Sequence, residues 1–421
     1  MCNGTIMDKL ISFSIPLMLS GILQLMFNAV DIVVVGRFSG SQALAAVGST
    51  TALINVFTNL FIGISLGANV LAARYYAAGK TKEMSETVHT AIALALVSGV
   101  AMAVIGVVFA RGALEIMGTP DDVIAKSTLY MRIYFCGMPF FMMYNYGAAI
   151  LRAVGDTKRP LIFLIVSGVI NAVLNLFLVI GFHLDVAGVG IATVISQLVS
   201  CILVLRCLHH TESSYQLHLA KLRIRSVYLK QIFEVGVPAG IQSTVINISN
   251  AMLQSSVNSF GSIAMAGYTA SNNIFGFLYV SVNSFTQACM SFTSQNYGVK
   301  KLKRMDRVLI DCMILSVVVT LILGSSVYIF GPELLHIYSN QADVIKYGME
   351  IFSYTTVTYF LCGLMDLFPG ALRGMGYSTV PMILSIIGTV GVRIIWIYGL
   401  FPSHRSLTFL FLSYPVSWIA T

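Results

Sequence analysis

Two aspartates stand inside apolar stretches of the sequence, where ionisable side chains are rare. Asp31 lies shortly before the end of the first apolar stretch, and Asp366 lies in the tenth. A carboxylate in hydrocarbon costs about 2.5 to 3.5 kcal/mol on insertion scales, so such residues usually face a cavity and bind protons or cations. The alternative is a carboxylate paired with a neighbour to fix helix packing. We expect two separate sites for H+ or Na+, because the aspartates lie in different halves of the chain.

Amide and hydroxyl side chains that would complete a cation site at Asp31 occur in the first, fifth and sixth apolar stretches. The candidates are Asn28, Asn171, Asn175 and Thr193. Asn171 and Asn175 are one helical turn apart, so they share one face of a helix. Oxygen ligands suit hard cations, and we expect a Na+ ion or a proton to bind at Asp31. The alternative is that these groups only join helices, at about 0.6 kcal/mol each.

Cysteine and histidine give no comparable signal. The seven cysteines form no CxxC pair and mostly lie in apolar stretches, so neither a disulfide framework nor a zinc site is indicated. His209, His210 and His218 share one polar loop, which suits a solvated loop better than a metal site. Arg393 stands in the middle of the eleventh stretch, where it either extends toward the interface or pairs with an acid.

The elements that position these residues are predicted to be membrane helices. Of the 421 residues 57% are hydrophobic and 10% are charged, with a mean hydropathy of +0.84. A soluble domain has about 25% charged residues, so an ordinary soluble protein is excluded. The first stretch is too long for a signal peptide. Twelve spans are predicted, near 10 to 36, 43 to 73, 87 to 110, 123 to 152, 160 to 182, 187 to 208, 228 to 259, 263 to 296, 306 to 330, 343 to 373, 380 to 401 and from 406 onward.

The basic residues fix a predicted orientation. Most of the 25 Lys and Arg residues fall in alternate loops, including the segments 74 to 82, 152 to 159, 206 to 230 and 300 to 307. Short cytoplasmic loops carry an excess of Lys and Arg, which places the N-terminus in the cytoplasm. This loop distribution explains the net charge of +8 without a nucleic-acid partner.

The sequence repeats itself at an offset of 221 residues. Leu, Arg, Gly and Pro coincide between segments 150 to 160 and 371 to 381, and Tyr, two Lys and Met coincide between 76 to 84 and 297 to 305. Six spans lie within the offset, so both halves enter the membrane in the same direction. The fold class is therefore all-α integral membrane, with about twelve transmembrane helices in two homologous six-helix lobes. The predicted division is an N-lobe at 1 to 208, a basic cytoplasmic linker at 209 to 226 and a C-lobe at 227 to 421.

The same offset bears on the last helix. The sixth helix is predicted to end near Leu208, and the offset places the matching end of the twelfth helix beyond Thr421. The run from Ser406 to Thr421 also lacks the basic residues expected at a cytoplasmic end. We expect a truncated sequence or a last helix that stops short of the far interface.

These motifs together resemble the multidrug and toxic compound extrusion (MATE) family over the whole length of the chain. The resemblance lies in Ile15-Pro16-Leu17, Asn28-Ala29-Val30-Asp31, the Gly36 turn, Ala43-Leu44-Ala45-Ala46-Val47-Gly48, the paired Leu-Arg-x-x-Gly…Pro motifs and Gly188-x-Gly190-Ile191-Ala192-Thr193. It implies two six-helix lobes and export of amphipathic, often cationic compounds in exchange for Na+ or H+.

The resemblance also implies roles for individual residues. Asp31, Asn171, Asn175 and Thr193 match the family's cation site, Asp366 matches the acid of its tenth helix, and Pro16 matches a proline at which the first helix bends. Asn28 and Asn145 are expected at the substrate cavity, with Asn145 at the repeat-equivalent position of Asp366. Many members have a second acid where this chain has Asn175, and some have a glutamate near Ile246 that is absent here, so whether the second lobe binds a cation and which ion is coupled both stay open.

We therefore expect a secondary active antiporter and not an enzyme. It needs no cofactor beyond the coupling ion, is monomeric, and lies in the cytoplasmic membrane of a bacterium with small molecules as substrates. The main alternative is a lipid-linked oligosaccharide flippase of a related two-lobe fold. An intramembrane aspartyl protease is disfavoured because Asp31 and Asp366 lack the Tyr-Asp and Gly-x-Gly-Asp contexts of such enzymes. A passive channel is a further alternative that the sequence excludes poorly.

Overall fold

The structure is a computed structural model that describes the backbone of residues 1–421 and every side chain except those of Ser41 and Ala52. Helices account for 86% of the chain, and the described residues contain no strand. The all-helical prediction is confirmed. Within the described residues, seven helices are long and apolar enough to cross a membrane, and an eighth span is counted if one bent helix pair is taken together. The chain is a multi-pass membrane protein.

The first half of the chain contains seven α-helices. They are α1 (Met7–Phe38), α2 (Ser41–Ala77), α3 (Thr81–Ile116), α4 (Asp121–Cys136), α5 (Met138–Ala153), α6 (Lys158–Leu176) and α7 (Asp185–His209). The predicted span at 123 to 152 is thus two helices, α4 and α5. Pro139 stands in the first turn of α5, where its missing N–H costs little because first-turn donors have no helical acceptor. A π-helix, Phe177–Gly181, follows α6 directly.

The second half of the described chain contains ten α-helices of very different lengths. They are α8 (Ser226–Asn258), α9 (Ser262–Gly298), α10 (Leu302–Ile329), α11 (Gly331–His336), α12 (Ala342–Thr355), α13 (Tyr359–Gly374), α14 (Thr379–Ser385), α15 (Val392–Ile395), α16 (Leu407–Phe411) and α17 (Ser413–Ala420). The predicted tenth span is bent by 53° between α12 and α13. Two π-helices, Ile386–Gly391 and Trp396–Leu400, lie on either side of α15.

The chain forms two compact units that differ from the predicted lobes at two places. The N-terminal unit is Leu19–Val237, and the C-terminal unit is Met1–Met18 with Pro238–Thr421. The first part of α1 therefore packs in the C-terminal unit, where the Phe13 ring meets the Phe292 ring at 5.6 Å. The first part of α8 packs in the N-terminal unit, where Gly236 lies directly against the backbone of Ile64 in α2. Both divisions fall beside an intrahelical proline, Pro16 in α1 and Pro238 in α8.

The predicted basic linker packs in the N-terminal unit against the start of α3. Arg223 and Arg225 both pair with Glu86, at 2.6 and 3.2 Å. The His89 ring nitrogen Nδ1 lies 2.6 Å from the Ser85 carbonyl, and Nε2 accepts the His218 N–H at 3.0 Å. These two contacts require neutral His89 with its proton on Nδ1, because a carbonyl only accepts and a backbone N–H only donates.

Helix α3 has one exposed apolar face and one face buried in the protein core. Val104 and Val108 on one face are 58% and 62% exposed, whereas Ala91 and Ala95 are fully buried in the large core of the N-terminal unit. A broad apolar surface on a helix of this length is typical of contact with lipid.

Candidate functional site

The second part of α1 brings Asp31 against α6 in the N-terminal unit. Gly168 of α6 leaves room for the Phe27 ring, since a Cβ at this glycine would overlap that ring. This close packing of α1 on α6 places Asp31 one turn further along, opposite Asn175. The Asn175 side-chain amide donates a hydrogen bond to Asp31 Oδ1.

The hydrogen bonds continue from Asn175 to α7. Asn175 Nδ2 also donates to Asn171 Oδ1 at 3.2 Å, and Asn171 Nδ2 lies 3.5 Å from Thr193 Oγ1. Thr193 Oγ1 donates to the Val189 carbonyl at 2.9 Å. The structure therefore brings together four of the residues that the sequence singled out, in one chain of polar groups across α1, α6 and α7.

Among the described residues, no cationic side chain pairs with Asp31: no Lys, Arg or His forms an ion pair with it. Asn175 is fully buried, and its Oδ1 has no hydrogen-bond donor among the described residues. An orphaned buried oxygen beside an unpaired carboxylate is a donor set that suits H+ or a hard cation.

Two local features shape this site. The π-helix Phe177–Gly181 begins two residues after Asn175, and π-turns inside helices are frequent at functional sites. Tyr130 and Tyr134 of α4 face Asp31. The sequence analysis missed these tyrosines, although their spacing of one helical turn in the fourth predicted span was a usable signal.

The other predicted site residues do not join this group. Asn28 is exposed on α1, and Asn145 donates to the Phe141 carbonyl of its own helix at 2.8 Å. Asp366 belongs to the C-terminal unit, where Tyr279 and Arg373 face it. The three histidines of the linker are not a metal cluster: no group of three His, Cys, Asp or Glu able to hold a metal occurs in the described part of the chain.

A multi-pass helical fold with a carboxylate among amides in its membrane part is typical of membrane transport proteins as a class. Comparisons with known proteins identify the family. The family model MatE matches residues 16–177 and again 238–398. The chain belongs to the MATE family of multidrug efflux transporters. The double match also confirms that the two halves are homologous.

Individual relatives agree with this assignment. The chain is 30% identical to the probable multidrug resistance protein YoeA of Bacillus subtilis, over 91% of this chain and 84% of that protein. It is 21% identical to the multidrug export protein MepA of Staphylococcus aureus strain NCTC 8325, over 94% of this chain and 88% of MepA.

Solved structures share the fold. An outward-facing multidrug resistance MATE transporter of the MOP superfamily superposes with a TM-score of 0.90, at 20% identity, over 99% of this chain and 94% of the other. The Vibrio cholerae MATE transporter VcmN, in a mutant form with one aspartate replaced by asparagine, superposes with a TM-score of 0.91, at 19% identity, over 99% and 94%. These likenesses show the two-lobe fold.

Proposed function

We propose that this protein is a secondary active antiporter that exports small amphipathic, often cationic organic compounds in exchange for H+ or Na+ by alternating access. Asp31 is the coupling residue, and Asn175, Asn171 and Thr193 complete its site. Asp366 is a second, separate acid in the C-terminal unit.

The observation that carries this proposal is the uncompensated Asp31 carboxylate. It accepts a hydrogen bond from Asn175 but pairs with no cation of the described chain, so a proton or Na+ supplies the missing positive charge. Burial of an unneutralised carboxylate is costly. A conformation that encloses Asp31 therefore requires the ion, whereas one that hydrates Asp31 does not.

This difference converts ion binding into a conformational bias. A ligand shifts an equilibrium only through its difference in affinity for the two states. The ion and the exported compound favour different conformations, so inward movement of the ion drives outward movement of the substrate. Pro16 is the proposed hinge, because α1 passes from one compact unit to the other two residues after it.

The substrate class follows from the relatives. YoeA and MepA are described as multidrug resistance and multidrug export proteins, and both are bacterial. We extend this description to export of drugs and toxins across the cytoplasmic membrane of a bacterium, by a monomer whose N-terminus is cytoplasmic.

The test is efflux of a cationic dye from proteoliposomes with Na+ and pH gradients imposed separately. One gradient should drive dye movement and the other should not, which identifies the ion. Vesicles with a collapsed gradient are the control. Equal dye movement with and without both gradients would refute antiport and favour a channel.

A further inference from the structure

Arg393 of α15 is a buried cation without an anionic partner in the described part of the chain. It lies near the middle of the candidate span Thr379–Ser403 and is only 3% exposed. No ion pair of the described residues includes it. The titratable groups near it are Tyr414, Cys362, Tyr268 and Tyr359, and none of these is a carboxylate. The alternative in which Arg393 pairs with an acid does not hold among the described residues.

The hydrogen bonds around Arg393 leave donors in excess. Nε donates to Ser417 Oγ at 3.2 Å and Nη1 donates to Asn250 Oδ1 at 2.7 Å. A guanidinium has five N–H donors, so three have no acceptor among the described residues. The Tyr268 and Tyr414 hydroxyls form one hydrogen bond of 2.8 Å with each other. Only one of their two hydroxyl hydrogens is used in this bond, so the other is available as a further donor. A group of surplus donors around a positive charge is complementary to an oxyanion.

Aromatic rings form the surroundings of this donor group. The Tyr414 ring lies 4.8 Å from the guanidinium carbon and 5.7 Å from the Trp418 ring, which in turn meets Tyr359 edge-on at 5.5 Å. Of these rings only that of Tyr414 is partly exposed, so it is the one that can contact an apolar or aromatic body attached to the charged group. Asn250 and Tyr414 are only partly buried, so the guanidinium can be approached from their side.

The backbone at Arg393 is also irregular. The π-helices Ile386–Gly391 and Trp396–Leu400 enclose the four-residue α15. Wide turns of this kind are rare and concentrate at functional sites. Their position on both sides of Arg393 agrees with a binding role for that residue.

We propose that Arg393 is a binding site for the carboxylate of an amphipathic organic anion, with the ring of Tyr414 against the apolar body of the ligand. The guanidinium fork matches a carboxylate in geometry. The inference extends the proposed function by adding organic anions to the substrates. The role of this site in transport rests on the proposed function. Ligand binding itself does not, because it is measured without an ion gradient.

The chain provides its own probe for this site. It contains two tryptophans: Trp396, three residues after Arg393 in the sequence, and Trp418, whose ring meets the Tyr414 ring. Purified full-length protein in nanodiscs is titrated with phenylbutyrate and with its neutral analogue phenylbutyramide, and tryptophan emission is recorded. Phenylbutyrate should change the emission saturably. The amide should bind roughly tenfold to a hundredfold more weakly, as expected for loss of charge-assisted hydrogen bonds.

Three variants make the test specific. Arg393→Gln should lose phenylbutyrate binding by a similar factor. Arg132→Gln is the matched control, because Arg132 is exposed in the other unit and donates to the Val107 carbonyl; its binding should be unchanged. Asn250→Asp places a carboxylate beside Nη1, so it should abolish binding while Arg393 is still present. This variant decides the question if Arg393→Gln does not fold.

Equal affinity for phenylbutyrate and phenylbutyramide, or wild-type affinity in Arg393→Gln or Asn250→Asp, would overturn the site. Failure of gradient-driven dye efflux together with intact, Arg393-dependent phenylbutyrate binding would refute antiport alone. Efflux without phenylbutyrate binding would refute this inference alone.

Discussion

Replacement of Gly236 by alanine should loosen the contact between the first part of α8 and α2. An ideal Cβ on Gly236 would lie 2.5 Å from Ile64 Cα and 2.8 Å from the Ile64 carbonyl oxygen, whereas ordinary contacts of a Cβ begin at 3.4 Å. The two helices must therefore separate by about 0.9 Å, because backbone atoms cannot rotate away as a flexible side chain can. Overpacking of this kind costs about 1 to 3 kcal/mol.

A gain in helix propensity offsets part of this cost. Alanine is about 1 kcal/mol better than glycine inside a helix, so the expected net loss of stability is about 0 to 2 kcal/mol. Gly48→Ala in α2 is the matched control, because a Cβ at Gly48 meets nothing within 4 Å. It receives the same propensity gain without the clash and should be as stable as the wild type or slightly more stable.

The assay is thermal unfolding of the purified full-length variants, with hydrogen exchange of amides 226–237 as the local readout. Gly236→Ala should unfold at a lower temperature than Gly48→Ala and should exchange faster in that segment. Equal unfolding temperatures and equal exchange in both variants would refute direct packing of α8 on α2 in the N-terminal unit.

Three further predictions concern the linker, the N-terminal segment and Asn175. Burial, with added repulsion from Lys221, lowers the pKa of His218 from its ordinary 6.5, so the undocked linker takes up the proton first as the pH falls below that value. Packing of the linker against α3 should weaken toward pH 5 and recover at pH 7. Hydrogen exchange of residues 215–225 should therefore be faster at pH 5 than the pH alone explains, and this difference should be smaller in His218→Gln. Lys301 and Arg304 donate hydrogen bonds to backbone carbonyls of Met1–Gly4, so replacing both by Gln should speed amide hydrogen exchange of that segment. Lys303→Gln is the control, because Lys303 is exposed nearby, and it should leave this exchange unchanged. Asn175→Ala removes the donors to Asp31 and Asn171 and should slow gradient-driven efflux by about tenfold or more, as expected for a hydrogen bond to a charged group worth about 1.5 to 3 kcal/mol; unchanged efflux would exclude Asn175 from the site.

The sequence was sufficient for the helices because they depend on local pattern, whereas the grouping of Asp31 with Asn175, 144 residues away, was implied only by the resemblance to the MATE family. Apolar runs of membrane length set the spans, and the spacing of Asn171 and Asn175 put both side chains on one face of α6. The break between α12 and α13 was not predictable in this way. It falls at Thr356, Val357 and Thr358, a stretch without the Gly or Pro that usually marks an interruption.

Long-range partners were also beyond the sequence. Nothing in the repeat shows that the first part of α1 packs in the C-terminal unit, since the same apolar face would suit either half. Arg393 was recognised as unusual, but its acceptor Asn250 lies 143 residues away. Only the fold shows that this partner is neutral, and so that the charge of Arg393 is uncompensated.

The most direct test of the coupling role of Asp31 is a paired measurement on Asp31→Asn. Asparagine is nearly isosteric and cheaper to place in a membrane than a carboxylate, so the variant should fold, insert and still bind the exported dye. An amide cannot exchange a proton, and it offers Na+ a neutral oxygen in place of a charge, so the ion no longer favours one conformation over the other. Dye binding to the purified variant should be retained, while efflux from proteoliposomes under the driving gradient should fall to the level without a gradient. Wild-type efflux by well-expressed Asp31→Asn would contradict the account and move the coupling site elsewhere, with Asp366 as the next residue to replace.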